Sequence, residues 1–107
     1  MFKAIGIWTW PKDEDLAAFD QHYESTHYPL AEKLPEIVRV TVLKAGDDAR
    51  ESGIYRLAEV YWPDEDSFRR AAVSPEWAAM AADATLLMER YGVELKAAAG
   101  EEREAQM

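Results

Sequence analysis

Five prolines, at positions 11, 29, 35, 63 and 75, limit what this chain of 107 residues can fold into. Each ring fixes φ and removes a backbone donor, so regular elements must end or bend there. The runs between the prolines change hydrophobic period. In residues 2–10, Phe2, Ala4, Gly6, Trp8 and Trp10 alternate with Ile5 and Ile7, the pattern of a strand covered on both faces. Pro11 ends it. Residues 14–34 carry Leu16, Phe19, Tyr23, His27, Leu30 and Leu34 at spacings of three and four, the stripe of an amphipathic helix. Asp13 is the expected N-cap, and Glu14 and Asp15 suit the positive end of the helix dipole. Pro29 lies inside that stripe and is expected to kink or interrupt the helix near residues 26–28.

Residues 37–44 are rich in β-branched side chains and read as a second strand. A polar loop leads to a third, residues 54–62, with Tyr55, Leu57, Glu59 and Tyr61 on one face and Arg56, Ala58, Val60 and Trp62 on the other. Asp64 or Asp66 can cap a short helix through Ala72. Ser74 and Pro75 start a longer one, with Gly92 as its stop. Residues 93–97 read as a weaker fourth strand.

The order β-α-β-β-α-β is that of an α+β, ferredoxin-like subunit: a four-stranded antiparallel sheet with both helices on one face. The expected domain is 1–98, with 99–107 a charged, frayed tail. A chain this short buries only about two thirds of its unfolded surface. The second sheet face still carries apolar side chains, and a second copy of the same face is the simplest cover. A homodimer through the sheet is therefore expected.

Composition narrows the function. Asp and Glu outnumber Lys and Arg 21 to 12, a net charge of −9, which argues against nucleic acid and against anionic membranes as partners. With no Cys there is no disulfide, thiol nucleophile or cysteine-based metal site. No run is long and apolar enough for a membrane span, and Pro11 with the charges from Lys12 to Asp15 interrupts any signal peptide. The reading is cytoplasmic.

His27 is the most informative residue, because an imidazole occupies a place on the apolar stripe where Leu or Phe would be ordinary. It reads either as an acid/base group aimed into a cavity or as a core histidine satisfied by one hydrogen bond. His22 falls off the stripe and reads as exposed. Five residues from His27, it is not expected to share a helix face with it, so no metal site is expected. Four Trp and five Tyr are many for this length. Most should serve the core and the dimer face, while Trp8, Trp10, Tyr28 and Tyr61 are the candidates to line a pocket for a flat, largely apolar molecule. Tyr23 or Tyr28 could donate to a developing oxyanion. Arg39, Arg56 and Glu59, inside strands, read as solvated, paired across the sheet or between subunits, or set in a functional cavity, with a structural role favoured over catalysis. The acidic runs sit at helix starts and read as caps, not calcium loops.

Phe19, Tyr23, His27-Tyr28-Pro29-Leu30 and Leu34-Pro35 together resemble the first-helix signature of the EthD-type proteins. Ser74-Pro75-Glu76-Trp77, followed by Asp83, resembles the start of the second long helix in the same superfamily. The resemblance implies a dimeric α+β barrel, in a superfamily that includes muconolactone isomerases, polyketide cyclases, cofactor-free monooxygenases and haem-dependent enzymes. Only His27, Tyr23 and Pro29 carry over as motif positions. Nothing matches the haem ligand, so no cofactor is expected. Glu36 departs from the pattern, where Gly is common, and puts the backbone of that turn in question. The resulting expectation is a small cofactor-free enzyme of isomerase, cyclase or oxidoreductase/monooxygenase type. It would act on a small apolar carbonyl, lactone or aromatic compound, with His27 and Tyr23 as its catalytic groups. The alternative is a non-catalytic carrier or accessory binding protein for an oxidative degradation pathway.

Overall fold

In a computed structural model, which describes residues 1–105, strand β1 (Phe2–Trp8) is the spine of the sheet. It pairs antiparallel with β3 (Arg56–Trp62) on one side and β4 (Leu95–Glu101) on the other. β2 (Arg39–Lys44) pairs with the outer side of β3, which gives the order β2-β3-β1-β4. This is the antiparallel α+β, ferredoxin-like sheet read from the alternation of periods. The register sets Gly6 between Ala58 and Ala97, and Ala4 between Val60 and Ala99. The centre of the sheet's inward face is thus paved with small side chains.

β1 stops two residues earlier than expected. Beyond Trp8 the ladder gives way to bonds with the ends of neighbouring strands: Thr9 N–H donates to the Glu94 carbonyl at 3.0 Å. β4 begins later and runs further than residues 93–97. Ala99, Gly100 and Glu101, expected in the frayed tail, are laddered to Ala4, Lys3 and Phe2. Their backbone bonds to β1 outweigh weak side-chain propensity. The last residues of the expected tail, 106–107, lie outside the described residues.

The first helical segment is one run in three parts: α1 (Leu16–His22), a π-helical turn (Tyr23–His27) and α2 (Tyr28–Glu32). A 3₁₀ turn, Asp13–Asp15, precedes it, with Lys12 rather than Asp13 in the cap position. Asp13 instead accepts from Arg50 at 2.8 Å. The α-helix is interrupted here, as expected, by a change of helix type, while the backbone stays right-handed helical through the caps at His22, Tyr23, His27 and Tyr28. The turn before Pro29 widens, so that Tyr28 N–H reaches the Tyr23 carbonyl, five residues back. A wider turn absorbs the missing donor and the bulk of the ring.

α3 (Glu65–Ala72) is capped by Asp64, whose carboxylate accepts Ser67 N–H at 2.8 Å. α4 (Pro75–Tyr91) is capped by Ser74, with Pro75 in its first turn and a left-handed Gly92 at its end. Glu36, in the turn after α2, takes φ of 60°, the left-handed region that disfavours a side chain. Its carboxylate grips Arg70 of α3 through two bonds, at 2.7 and 2.8 Å, which ties this turn down.

The helices cover one face only, and the molecule is a slab of 41 × 40 × 18 Å, the thickness of a helix layer on a sheet. Two clusters form the core. One gathers Trp8, Phe19, Tyr23, Tyr55, Leu87 and Val93; the other gathers Leu34, Val60, Trp62 and Ala71. The opposite face presents Ile5, Ile7, Leu57 and Leu43, incompletely covered, with Leu43 51% exposed.

Candidate functional site

A cavity of about 360 Å³ lies between the two core clusters and is lined by members of both. Its floor is the small-residue centre of the sheet: Ala4 and Gly6 of β1, Ala58 of β3 and Ala97 of β4. Larger side chains at these positions would fill the space. Its roof is α2 and α4, through Ala31, Trp77, Met80, Ala84 and Met88. No Asp, Glu, Lys or Arg is in its lining. The lining residues with polar side-chain atoms are His27, Tyr23, Tyr28, Thr85 and the tryptophans Trp8, Trp62 and Trp77, of which the Trp62 indole N–H donates to the Pro35 carbonyl at 3.0 Å.

His27 sits at the end of the π-turn, buried in the wall. Its ring meets Trp8 edge-on, centroids 5.3 Å apart, and lies 5.6 Å from the Tyr23 ring. Its Nδ1 is 2.9 Å from Oδ2 of Asp83, on α4. The other carboxylate oxygen of Asp83 is 2.8 Å from Nε2 of His22. An ionised carboxylate only accepts, so both ring nitrogens carry the proton in these bonds. That assigns His27 the Nδ1–H tautomer and leaves its Nε2 with a lone pair. No partner for Nε2 exists among the described residues, and the ring borders the cavity. Burial lowers the pKa of His27 below the ordinary histidine value, and the Asp83 bond only partly offsets it. The ring is therefore neutral at pH 7, in the form of a base.

Tyr23 is buried, and that burial pushes its phenol up to about 12, so it stays protonated and can donate. The Arg56 guanidinium lies 4.7 Å from the Tyr23 ring centroid, and Arg56 is not among the lining residues. Arg56 is itself buried and bonds Glu24 at 2.8 Å and Asp20 at 2.9 Å. Burial alone would weaken its charge, but these carboxylates hold its pKa above the ordinary arginine value. Arg56 is thus paired with the first helical segment rather than across the sheet.

Of the residues singled out in the sequence, His27, Tyr23, Trp8 and Tyr28 converge on the cavity. Trp10 and Tyr61 do not. Trp10 lies past the end of β1, where alternation no longer applies, and packs on Tyr55 (centroids 4.5 Å apart) beneath Arg50. Tyr61 is on the opposite face of the sheet, beside Lys3 in the register. Its hydroxyl donates to Glu59 at 2.7 Å, and Arg39 lies over its ring. Side-chain stems, not the core, cover it. His22 is not the free surface histidine expected, since its side chain is only 17% exposed and is held by Asp83. Residues five apart diverge on an α-helix but stack across a π-turn. Even so, the carboxylate stands between the two rings, and no group of His, Asp and Glu that could hold a metal ion exists among the described residues. Asp83 was visible only as part of a helix motif, with no sign of what it would meet.

An antiparallel α+β domain with a largely apolar cavity walled by one neutral histidine and two tyrosines fits the class of small-molecule-binding domains. More narrowly, the chain belongs to the EthD family: the EthD domain model matches residues 11–90. A protein of Rhodococcus erythropolis, described as an uncharacterised 11.0 kDa protein of the thcB–thcC intergenic region, is 33% identical over 84 residues, covering 78% of this chain and 80% of its own. The crystal structure of an EthD family protein from Bacillus halodurans superposes with a TM-score of 0.76 at 34% identity, over 96% of this chain and 99% of that one. SnoaB, a cofactor-independent oxygenase from Streptomyces nogalater, shares the fold with a TM-score of 0.65 at 21% identity, over 97% and 94% of the two chains. No helix among the described residues is long and apolar enough to cross a membrane.

Proposed function

We propose that this protein is an acid/base enzyme that moves a proton on a small, neutral, largely apolar carbonyl, lactone or phenolic compound. The observation that carries the reading is the His27 ring, held by Asp83 through Nδ1, with Nε2 unpartnered among the described residues, in the wall of a largely apolar cavity. A volume of about 360 Å³ falls within the range of small-molecule sites, about 300–1,000 Å³. A charged ligand would lose its hydration without gaining a partner in this lining, which favours a neutral one. In the proposed step, Nε2 takes a proton from carbon next to a carbonyl. The C–H electron pair moves to the carbonyl oxygen, where the Tyr23 or Tyr28 hydroxyl donates to it. Asp83 supports the imidazolium so formed. Return of the proton to a different carbon is isomerisation; attack of the enolate carbon on a second carbonyl is cyclisation. Neither step requires a cofactor.

The test is hydrogen–deuterium exchange into a panel of small aryl ketones and lactones in D₂O, followed by proton NMR. Exchange should be catalysed by the native chain and fall by about 10²–10⁴-fold in His27→Ala. Equal exchange by the two proteins refutes the reading. Panel members that bind without exchanging would assign the cavity to carriage instead.

The same reading includes a homodimer. The half-covered face around Ile5, Ile7 and Leu57 is supported for this role by its apolar centre and by a rim of Lys3, Arg39 and Glu59 that can pair across a two-fold axis. Sedimentation at micromolar concentration should give a dimer, and Leu57→Asp a monomer.

A further inference from the structure

His22 is not needed to explain the cavity, yet the chain goes to some length to bring it to Asp83. On an α-helix its side chain would diverge from that of His27 by about 140°. The π-turn removes that divergence, and both rings meet one carboxylate, at 2.8 and 2.9 Å. The three groups form a chain from inside to outside. His27 borders the apolar cavity. Asp83, its side chain 9% exposed, stands in the middle. His22 opens onto a separate polar hollow of about 300 Å³ lined by Gln21, Ser25, Thr26 and Tyr91.

A carboxylate with a single partner can turn about its terminal bond and offer either oxygen. It can also satisfy itself with water, leaving its partner free to change tautomer. A second N–H donor on the other oxygen fixes the carboxylate plane. We propose that His22 is a positioning residue: by donating Nε2–H to Oδ1 of Asp83, it holds Oδ2 on Nδ1–H of His27 and so keeps the lone pair of His27 on the cavity side. The proposal rests on the reading of His27 as the acid/base group. It concerns the group that prepares that base, which touches no substrate.

The experiment reads the tautomer directly, in the full chain labelled with ¹⁵N-histidine and without ligand, by two-bond proton–nitrogen correlation NMR at a pH where both rings are neutral. The native chain should show His27 as the Nδ1–H form. In His22→Ala the tautomer ratio of His27 should shift about tenfold toward Nε2–H, the change expected for the loss of one supporting hydrogen bond. In His22→Gln, whose amide can still donate to Asp83, the native form should be retained. A His27 that stays wholly Nδ1–H in the alanine variant overturns the proposal. So does a glutamine variant that shifts as far as alanine. If His22→Ala does not fold, His22→Leu fills the vacated space and is read in the same way. Because no turnover is involved, the outcome is independent of whether His27 moves a proton, which the exchange assay on His27→Ala decides.

Discussion

Asp83→Asn should separate the electrostatic work of the buried carboxylate from its packing, because the two side chains are nearly the same shape. Asn offers one acceptor and one donor where Asp offers two acceptors. Two ring N–H groups, at 2.8 and 2.9 Å, would then compete for one oxygen, and one ring must present a lone pair to the amide. Where that ring is His27, its proton moves to Nε2 and the cavity loses its base. Where it is His22, the base survives but the imidazolium loses its counter-charge. A carboxylate about 4 Å from an imidazolium, at an effective dielectric of about 20, contributes about 4 kcal/mol. The side chains of Asp83 and His27 are 9% and 10% exposed, and His22 shares the carboxylate, so we take half of that as a lower bound. The expected loss is about 2–4 kcal/mol of transition-state stabilisation, or about 30–1,000-fold in the ketone exchange rate. Replacing two charge-assisted bonds by two neutral ones should also cost about 1–3 kcal/mol of stability, read from guanidinium unfolding. An Asp83→Asn protein that is folded, measurably less stable and as fast in exchange as the native chain would refute the argument. The carboxylate would then be only a clasp between α1 and α4.

Other expectations follow from features outside that chain. Arg56→Met removes a buried cation from between Asp20 and Glu24; those carboxylates are 21% and 56% exposed and can rehydrate, so the cost should be about 1–3 kcal/mol, a melting point lower by about 5–20 °C. Because His27 has a lowered pKa in the fold, the unfolded chain takes up its proton first, and stability should fall as pH drops below about 6.5 through the folded value; His27→Gln should flatten that limb of a pH–denaturation series. Burial holds Tyr23 and Tyr55 near 12 against an ordinary 10, so stability should fall between about pH 10 and 12, and Tyr23→Phe should weaken that fall. Ala58→Leu puts three carbons on the cavity floor beside Gly6; fluorescence titration with 2-naphthol should show at least about tenfold weaker binding, with unfolding free energy changed by less than about 1.5 kcal/mol.

The sequence was most legible where local rules act without competition. Asp64 and Ser74 cap α3 and α4 through the bonds their side chains allow, and Gly92 closes α4 in the left-handed conformation. The order of periods defined the fold, and the polar break in an apolar stripe marked His27. Legibility ended where geometry left the standard period. Trp10 follows the alternation of a strand that stops at Trp8, and the alternation of β3 sets Tyr61 opposite Trp62, whatever its chemistry suggests. The angle that separates His22 from His27 holds for an α-helix and fails across a π-turn. The Ala and Gly positions of the floor carry no chemistry, so nothing marked them as the reason the cavity exists. Glu36, where Gly was expected, keeps the left-handed turn, with Arg70 as its anchor.

The π-turn also makes the length of this segment a constraint separate from its composition. It behaves as an α-helix into which one residue has been spliced. Excising a residue from Glu24, Ser25 or Thr26 would let the regular repeat close, with the two histidines then four apart and about 40° apart around the axis, so that both could still reach Asp83. Winding all the present residues into a regular α-helix would instead turn His27, Tyr28, Ala31 and Leu34 about 100° away from Asp83 and the cavity wall. The spacing of the histidines and the width of the turn are thus a single constraint: five residues need the wide turn, and four need its absence.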